Sequence, residues 1–253
     1  MIYLVESFYS IQGEGRYIGV PSLFLRFGGC NMKCEGFGCF ETLDNDTTIL
    51  GCDTIYAVNK QHFSKNWTKI TDAKELLSII DSYDLPKKLI DVVLTGGEPL
   101  LYANDGVFID FLEQVHARGH KICFETNGSL AVDFEKHHIY KECAFALSVK
   151  LSNSGESYKK RVDAKIINSL ASYSREAFFK FSIDAKSITD ELEVEIDEIT
   201  SFAPDTQVYC MPVALDKLEL EKNTEALIEF CKKKNYTFSD RLHIRVWDSK
   251  KGI

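Results

Sequence analysis

Ile90-Asp91-Val92-Val93-Leu94-Thr95-Gly96-Gly97-Glu98-Pro99 decides the fold. A β-branched, apolar run that stops on paired glycines and a proline is a buried strand whose C-terminal end meets a close backbone approach. The same rhythm continues downstream. Residues 107–118 have helical spacing and are closed by Gly119; residues 121–125 are extended and end at Thr126-Asn127-Gly128; residues 144–149 form another strand. Residues 161–170, 188–202 and 218–234 read as helices, and 178–183, 206–211 and 241–247 as strands, with Pro212 stopping the second of these. Upstream, Asp72 caps a helix to about residue 83, with Glu75 placed for a capping box. This alternation implies an α/β protein with parallel strands and right-handed helical crossovers. A partial or complete (β/α) barrel and a doubly wound sheet both satisfy it, and in either the chemistry gathers at the C-terminal ends of the strands.

Composition narrows the functional classes. The 253 residues carry a net charge of −8, which argues against a general nucleic-acid or anionic-membrane surface. No apolar run approaches the ~18 residues of a membrane span, and the first residues lack a basic leader, so the expected location is the cytoplasm. No repeat or linker breaks the chain, which reads as one domain over residues 1–253. Residues 35–69 are polar and irregular, and read as an insertion packed around a cysteine site.

That site is the crowding of Cys30, Cys34, Cys39 and Cys52, four of the eight cysteines. Thiols this close in a chain without a secretory signal point to a metal or iron–sulfur centre rather than disulfides. A four-cysteine zinc knuckle is one reading. A [4Fe–4S] cluster on three of them, Cys30, Cys34 and either Cys39 or Cys52, is the other, and it leaves one iron open to a small molecule. Cys123, Cys143, Cys210 and Cys231 read as buried hydrophobes. His62, His116, His120, His137 and His138 show no ligand spacing; His243 could line the site, with a structural role the favoured reading.

The turn Gly96-Gly97-Glu98-Pro99 downstream of three thiols looks like the S-adenosylmethionine site of the radical SAM superfamily. Phe8-Tyr9-Ser10-Ile11-Gln12-Gly13-Glu14-Gly15, Gly19-Val20-Pro21-Ser22 and Phe24-Leu25-Arg26-Phe27-Gly28-Gly29-Cys30 closely resemble the opening of the 7-carboxy-7-deazaguanine synthases. Cys52-Asp53-Thr54, Glu125-Thr126-Asn127-Gly128, Ser148-Val149-Lys150 and His243-Ile244-Arg245-Val246-Trp247 follow in that family's order. One departure stands out. The family's usual Cys-x3-Cys-x2-Cys spacing would put a third cysteine at 37, which is Phe, and the Asp-Thr pair follows Cys52 instead. Cys30, Cys34 and Cys52 are therefore the expected cluster ligands, with Cys39 replacing Cys52 as the alternative.

The resemblance implies a partial (β/α) barrel, a homodimer, an external electron donor such as flavodoxin or ferredoxin, and the cofactors [4Fe–4S], S-adenosylmethionine and Mg²⁺. It implies a carbon–nitrogen lyase that contracts the ring of a small-molecule pterin, 6-carboxy-5,6,7,8-tetrahydropterin, to 7-carboxy-7-deazaguanine with loss of ammonia, for queuosine and other 7-deazapurines. Arg26 would clamp the substrate carboxylate with its planar fork. Ile11, Gln12, Gly13 and Glu14 would read the pterin edge, with Thr95 beside them. Thr54 would ligate Mg²⁺, and Gly97, Glu98, Asn127, Ser148, Val149, Lys150 and Lys180 would hold S-adenosylmethionine. Plainer roles exist for several of these: Arg26 as an edge-strand ion pair, Thr54 as a helix cap, and Lys150 and Lys180 as solvated loop lysines. Two other functions share part of the pattern. A glycyl-radical activase would share the cysteines and the Gly-Gly-Glu turn without needing the Gln12–Glu14 reader, and a non-catalytic zinc module would need only the thiols.

Overall fold

A computed structural model describes residues 1–43, 45–85, 90–250 and 252. The chain opens with β1 (Ile2–Ile11) and β2 (Pro21–Phe27), followed by a hairpin of β3 (Cys39–Thr42) and β4 (Thr48–Gly51). Two short helices, α1 (Ile55–Val58) and α2 (Lys60–Phe63), then lead to β5 (Thr68–Ile70). The regular alternation follows as α3 (Ala73–Asp81), β6 (Asp91–Gly96), α4 (Gly106–Ala117), β7 (Lys121–Thr126) and β8 (Ala144–Leu147). It continues through α5 (Tyr158–Arg161), α6 (Ala164–Tyr173), β9 (Glu176–Ile183), α7 (Asp190–Ser201), β10 (Gln207–Pro212), α8 (Lys217–Lys234), β11 (Thr237–Phe238) and α9 (Leu242–Trp247).

The main sheet runs β5-β1-β2-β6-β7-β8-β9-β10-β11. β1 is antiparallel to both of its neighbours, and from β2 through β11 every pairing is parallel. Each strand from β6 onward adds beside the last in the same direction. With right-handed crossovers this sends all the connecting helices to one face. A doubly wound sheet would reverse its strand order at a switch point; among the parallel strands, β2 and β6 to β11, the order never reverses, and the fold is the open, partial (β/α) barrel.

Period-two alternation then sorts the side chains. Leu23, Leu25 and Phe27 of β2, Val92 and Leu94 of β6, Ile122 and Phe124 of β7, and Phe179 and Phe181 of β9 join the large core under the helices. Phe124 lies at its centre, stacked on Phe145 with ring centroids 5.0 Å apart. The intervening positions face the other way. Phe24, Val93, Cys123 and Ala144 form a thin apolar floor on the inner face, and beyond it, toward the strand ends, come Arg26, Thr95, Glu125 and Lys180.

The strand end that opened the reading is held as its glycines demand. Gly96 has φ +140°, and a Cβ there would overlap the Phe27 backbone; one at Gly97 would overlap the Gly29 carbonyl. In their place Gly97 N–H donates to Phe27 O (3.1 Å) and Glu98 N–H to Gly29 O (2.8 Å), joining this turn to the cysteine loop. The Asp72–Glu75 capping box is present, and Cys123, Cys143, Cys210 and Cys231 are all buried.

Two expectations need correcting. The 241–247 segment is the helix α9 with Arg241 as its N-cap, not a strand, because the alternation of Leu242, Ile244 and Val246 that suggested a strand does not track burial. Only Ile244 is buried and Val246 is half exposed. The place beside β10 belongs to Thr237 and Phe238, which pair with Tyr209 and Cys210. The 35–69 segment is also more regular than its composition suggested. It builds the β3–β4 hairpin, with Cys39 opposite Gly51, and it returns to the sheet through β5.

Candidate active site

The strand ends and the inserted hairpin enclose a cavity of about 690 Å³ lined by Cys30, Cys34, Cys39 and Cys52 together. Burial pushes the Cys30 thiol up to about 12, against the Met32 amide that donates to its sulfur (3.4 Å). Burial likewise takes Cys34 up to about 11. These are neutral thiols that must lose protons when they bind iron. Cys34 and Cys52 both act on Cys30 electrostatically, and Cys52 acts on Cys34. Cys39 instead senses Asp53 and Cys52. All four thiols line the one cavity, and Cys52 acts on each of the other three. Among the described residues, no three His, Cys, Asp or Glu side chains close on one ion-sized point; as a donor set, thiols on one cavity suit an iron–sulfur cluster. Thr54 Oγ1 lies 3.5 Å from Cys52 Sγ. Thr54 also occupies the N-cap of α1 without a side-chain cap bond.

Gly97, Asn127, Ser148 and Lys150 line the same cavity. Asn127 Nδ2 donates to Asn31 Oδ1 (2.9 Å), which ties the β7 turn to the cysteine loop. Glu98 departs from expectation. It is buried and its carboxylate is engaged by the Leu100 and Asn127 amides and the Thr126 hydroxyl, at 2.9, 2.7 and 2.8 Å. In this structure it braces two turns and is not part of the cavity wall. Val149 also turns away, its side chain packing into the main core.

A buried polar cluster occupies the inner face. Lys180 Nζ lies 3.0 Å from Glu14 Oε2 and 2.9 Å from Glu125 Oε1, with 5% of its side chain exposed. It is no solvated loop lysine, and its partners place it among the residues expected to read substrate. Gln12 Nε2 donates to Glu125 (3.3 Å), and its Oε1 accepts from the Glu14 amide (3.2 Å). Burial disfavours the Glu14 carboxylate, yet Lys180, then Arg241 and His243, outweigh it and hold its carboxyl well below the usual range. Arg26 sits on an interior strand opposite Glu6, which it contacts at 2.6 Å. Its expected ion pair therefore exists, and it lines the cavity as well. Ile11, Gly13 and Thr95 complete this wall.

A family described as a 4Fe-4S single cluster domain matches residues 11–171. The 7-carboxy-7-deazaguanine synthase of Clostridium acetobutylicum is 30% identical over 99% of this chain and 98% of its own length. That of Archaeoglobus fulgidus is 32% identical over 79% of each. The chain belongs to the 7-carboxy-7-deazaguanine synthase family. Solved structures agree in fold. QueE from Escherichia coli superposes with a TM-score of 0.67 at 21% identity, covering 96% of this chain and 94% of that one. SuiB from Streptococcus suis bound to S-adenosylmethionine gives 0.51 at 15%, covering 84% and 48%.

As a member of the 7-carboxy-7-deazaguanine synthase family, the chain is an enzyme of the radical SAM type, and three of its cavity residues escaped the sequence reading. Glu125 was visible only as part of a turn, although its place on the inner face of β7 follows from the alternation of Ile122 and Phe124. Arg241 donates from Nε to Glu14 (2.8 Å) and from Nη1 to Ala214 O (2.6 Å), with Nη2 3.6 Å from Asp53. His243, expected to be structural, lines the cavity with Nε2 3.7 Å from Glu14. Both come from the C-terminal segment, whose seat is fixed by bonds from Leu242 N–H to Gly13 O (2.9 Å) and from Gly15 N–H to Ser239 Oγ (2.7 Å). No local signal announces that return.

Proposed function

We propose that this chain converts 6-carboxy-5,6,7,8-tetrahydropterin to 7-carboxy-7-deazaguanine with loss of ammonia, in queuosine and 7-deazapurine synthesis. One observation carries the reading. A single cavity is lined both by the cysteines Cys30, Cys34, Cys39 and Cys52 and by the Gln12–Glu14–Arg26 polar cluster, so a radical source and a heterocycle reader would face one space.

Cys30, Cys34 and Cys52 hold the [4Fe–4S] cluster and leave one iron without a protein ligand. Bound there with S-adenosylmethionine and reduced by an external donor, such a group would supply radical chemistry for hydrogen abstraction. The Gly97 backbone, Asn127, Ser148 and Lys150 hold the S-adenosylmethionine. Gln12 and Glu14, with the backbone of Ile11 and Gly13 and with Thr95, offer the mixture of donors and acceptors that a pterin edge requires. Arg26 takes the substrate carboxylate in competition with Glu6. Lys180 fixes Glu14 and Glu125 in their ionised, accepting form, which serves the substrate wall rather than S-adenosylmethionine. Thr54 lends its hydroxyl to Mg²⁺. The chain acts as one domain, in a cytoplasmic homodimer reduced by a flavodoxin or ferredoxin. In keeping with this, no helix among the described residues is long and apolar enough to cross a membrane.

The test is an anaerobic assay of iron–sulfide-reconstituted protein with S-adenosylmethionine, reductant, Mg²⁺ and the carboxypterin, read by mass spectrometry. The expected result is 7-carboxy-7-deazaguanine together with 5′-deoxyadenosine. The adenosine product alone would reject the substrate. Cys52→Ala should lose the cluster and Cys39→Ala should keep it; the reverse would exchange their roles.

A further inference from the structure

The loop after β8 is tied to the cysteine loop by one side chain that substrate and S-adenosylmethionine do not need. Glu156 Oε1 accepts the backbone N–H of Lys33 (2.5 Å) and lies 3.4 Å from that of Cys34. Its other oxygen pairs with Lys160 Nζ (2.8 Å). Cys34 takes φ +50°, a left-handed conformation that is unfavourable for a non-glycine residue and persists only when its surroundings hold it. The Glu156 carboxylate is what meets the amides at that bend. The fit beside it is tight: a Cβ on Gly36 would overlap the backbone of Asn153, Ser154 and Gly155. The loop that carries Glu156 is itself anchored. Arg161, buried, donates to Lys150 O (2.9 Å) and pairs with Glu195, while Glu195 accepts from the Ser152 amide and hydroxyl.

We infer that Glu156 is a positioning residue for the iron–sulfur cluster, fixing the Cys34 backbone and, with Lys160, setting the charge beside that thiolate. The inference rests on the assignment of Cys34 as a cluster ligand. Hydrogen bonds and charges just outside the ligand set orient the ligands and tune the potential of an iron–sulfur centre. The two members of the pair carry opposite charge 2.8 Å apart, and Glu156 meets the Cys34 amide itself. That opposition separates a tuning role from a merely structural one. Removing the negative member favours the reduced, more negative cluster and raises its potential; removing the positive member lowers it.

The experiment compares reconstituted wild type with Glu156→Gln, Glu156→Ala and Lys160→Met. Anaerobic redox titration gives the cluster potential, and a chelator challenge gives the rate of iron loss. Amide exchange at Lys33 and Cys34 is followed in the iron-free proteins, so one readout does not depend on the cluster. The expected results are a higher potential in Glu156→Gln, a lower one in Lys160→Met, and iron loss on the order of tenfold faster in Glu156→Ala. Both amides should exchange faster in iron-free Glu156→Ala. Potentials that stay put or move together, or amides that exchange as in wild type, would overturn the inference while leaving the cluster assignment intact. Wild-type protein that takes up no iron would remove both.

Discussion

Lys180 shows what one buried cation does for the inner wall of the barrel. Burial opposes its charge, but Glu125 and Glu14 outweigh the burial and raise its pKa above the ordinary lysine value. Glu125 is the mirror case: burial favours its neutral form, and Lys180 more than compensates, leaving the carboxyl below its usual range. The carboxylates therefore stabilise the fold above the unfolded glutamate pKa of ~4.3, and that contribution is lost as pH falls through their lower folded values. The lysine contribution is present below ~10.4 and is lost as pH climbs through its raised value. Lys180→Met leaves Glu125 buried without its cation and should cost about 3–5 kcal/mol at neutral pH. In that variant Glu125 takes up a proton more readily, so the gap to wild type should narrow as pH falls toward 4. Thermal melts of both iron-free proteins across pH 4–8 measure it; a gap that does not change with pH would refute the pairing. At this scale the sequence was informative where chemistry clusters in a short span, as with Cys30 and Cys34 or Gln12 and Glu14. It was silent where partners meet through the fold, as Glu14, Glu125, Lys180 and Arg241 do, and it did not show that the Glu98 carboxylate bonds the amides of two turns.

Among the elements, α9 and the residues just before it carry the least legible part of the site. The parallel strands were readable because a buried strand needs a β-branched run and its end needs glycine. The closing helix is six residues long and offers neither a capping side chain nor a clear apolar face. Its position is set by tertiary bonds to Gly13 and Gly15. Arg241, at its N-cap, joins Glu14 on the substrate wall to Asp53, which directly follows Cys52. The geometry joins the wall proposed to read substrate to the cysteine side of the cavity. Arg241→Gln removes a charge-assisted bond worth about 1.5–3 kcal/mol, so kcat/KM should fall about tenfold to a hundredfold. Most of the loss should appear in KM, and 5′-deoxyadenosine should be released in excess over product. Arg241→Lys, which keeps the charge but loses the fork, should recover only part of it. Steady-state kinetics with both products quantified decide the matter; an unchanged KM and a preserved product ratio would mean that Arg241 merely packs.

Across the whole molecule, stability and chemistry belong to different layers. The aromatic core under the helices, built on Phe108, Phe124, Phe145 and Phe179, is fully buried and independent of the cavity. The cysteine loop, the β3–β4 hairpin and the loop after β8 are joined to one another by a few polar contacts, with Phe40 and Leu50 of the hairpin left exposed. Segments with few buried apolar contacts open at lower free energy than the global transition, and a bound group stabilises only the state that binds it. The bound cluster should thus protect this cavity-side layer selectively. Hydrogen exchange of cluster-loaded and chelator-stripped protein should differ at residues 29–58 and 148–156, with β6 to β10 nearly unchanged. If stripping the iron loosened β7 to β9 as strongly as the hairpin, the core would depend on the cluster for its folding. The division into a self-sufficient apolar layer and a cofactor-ordered polar one would then be wrong.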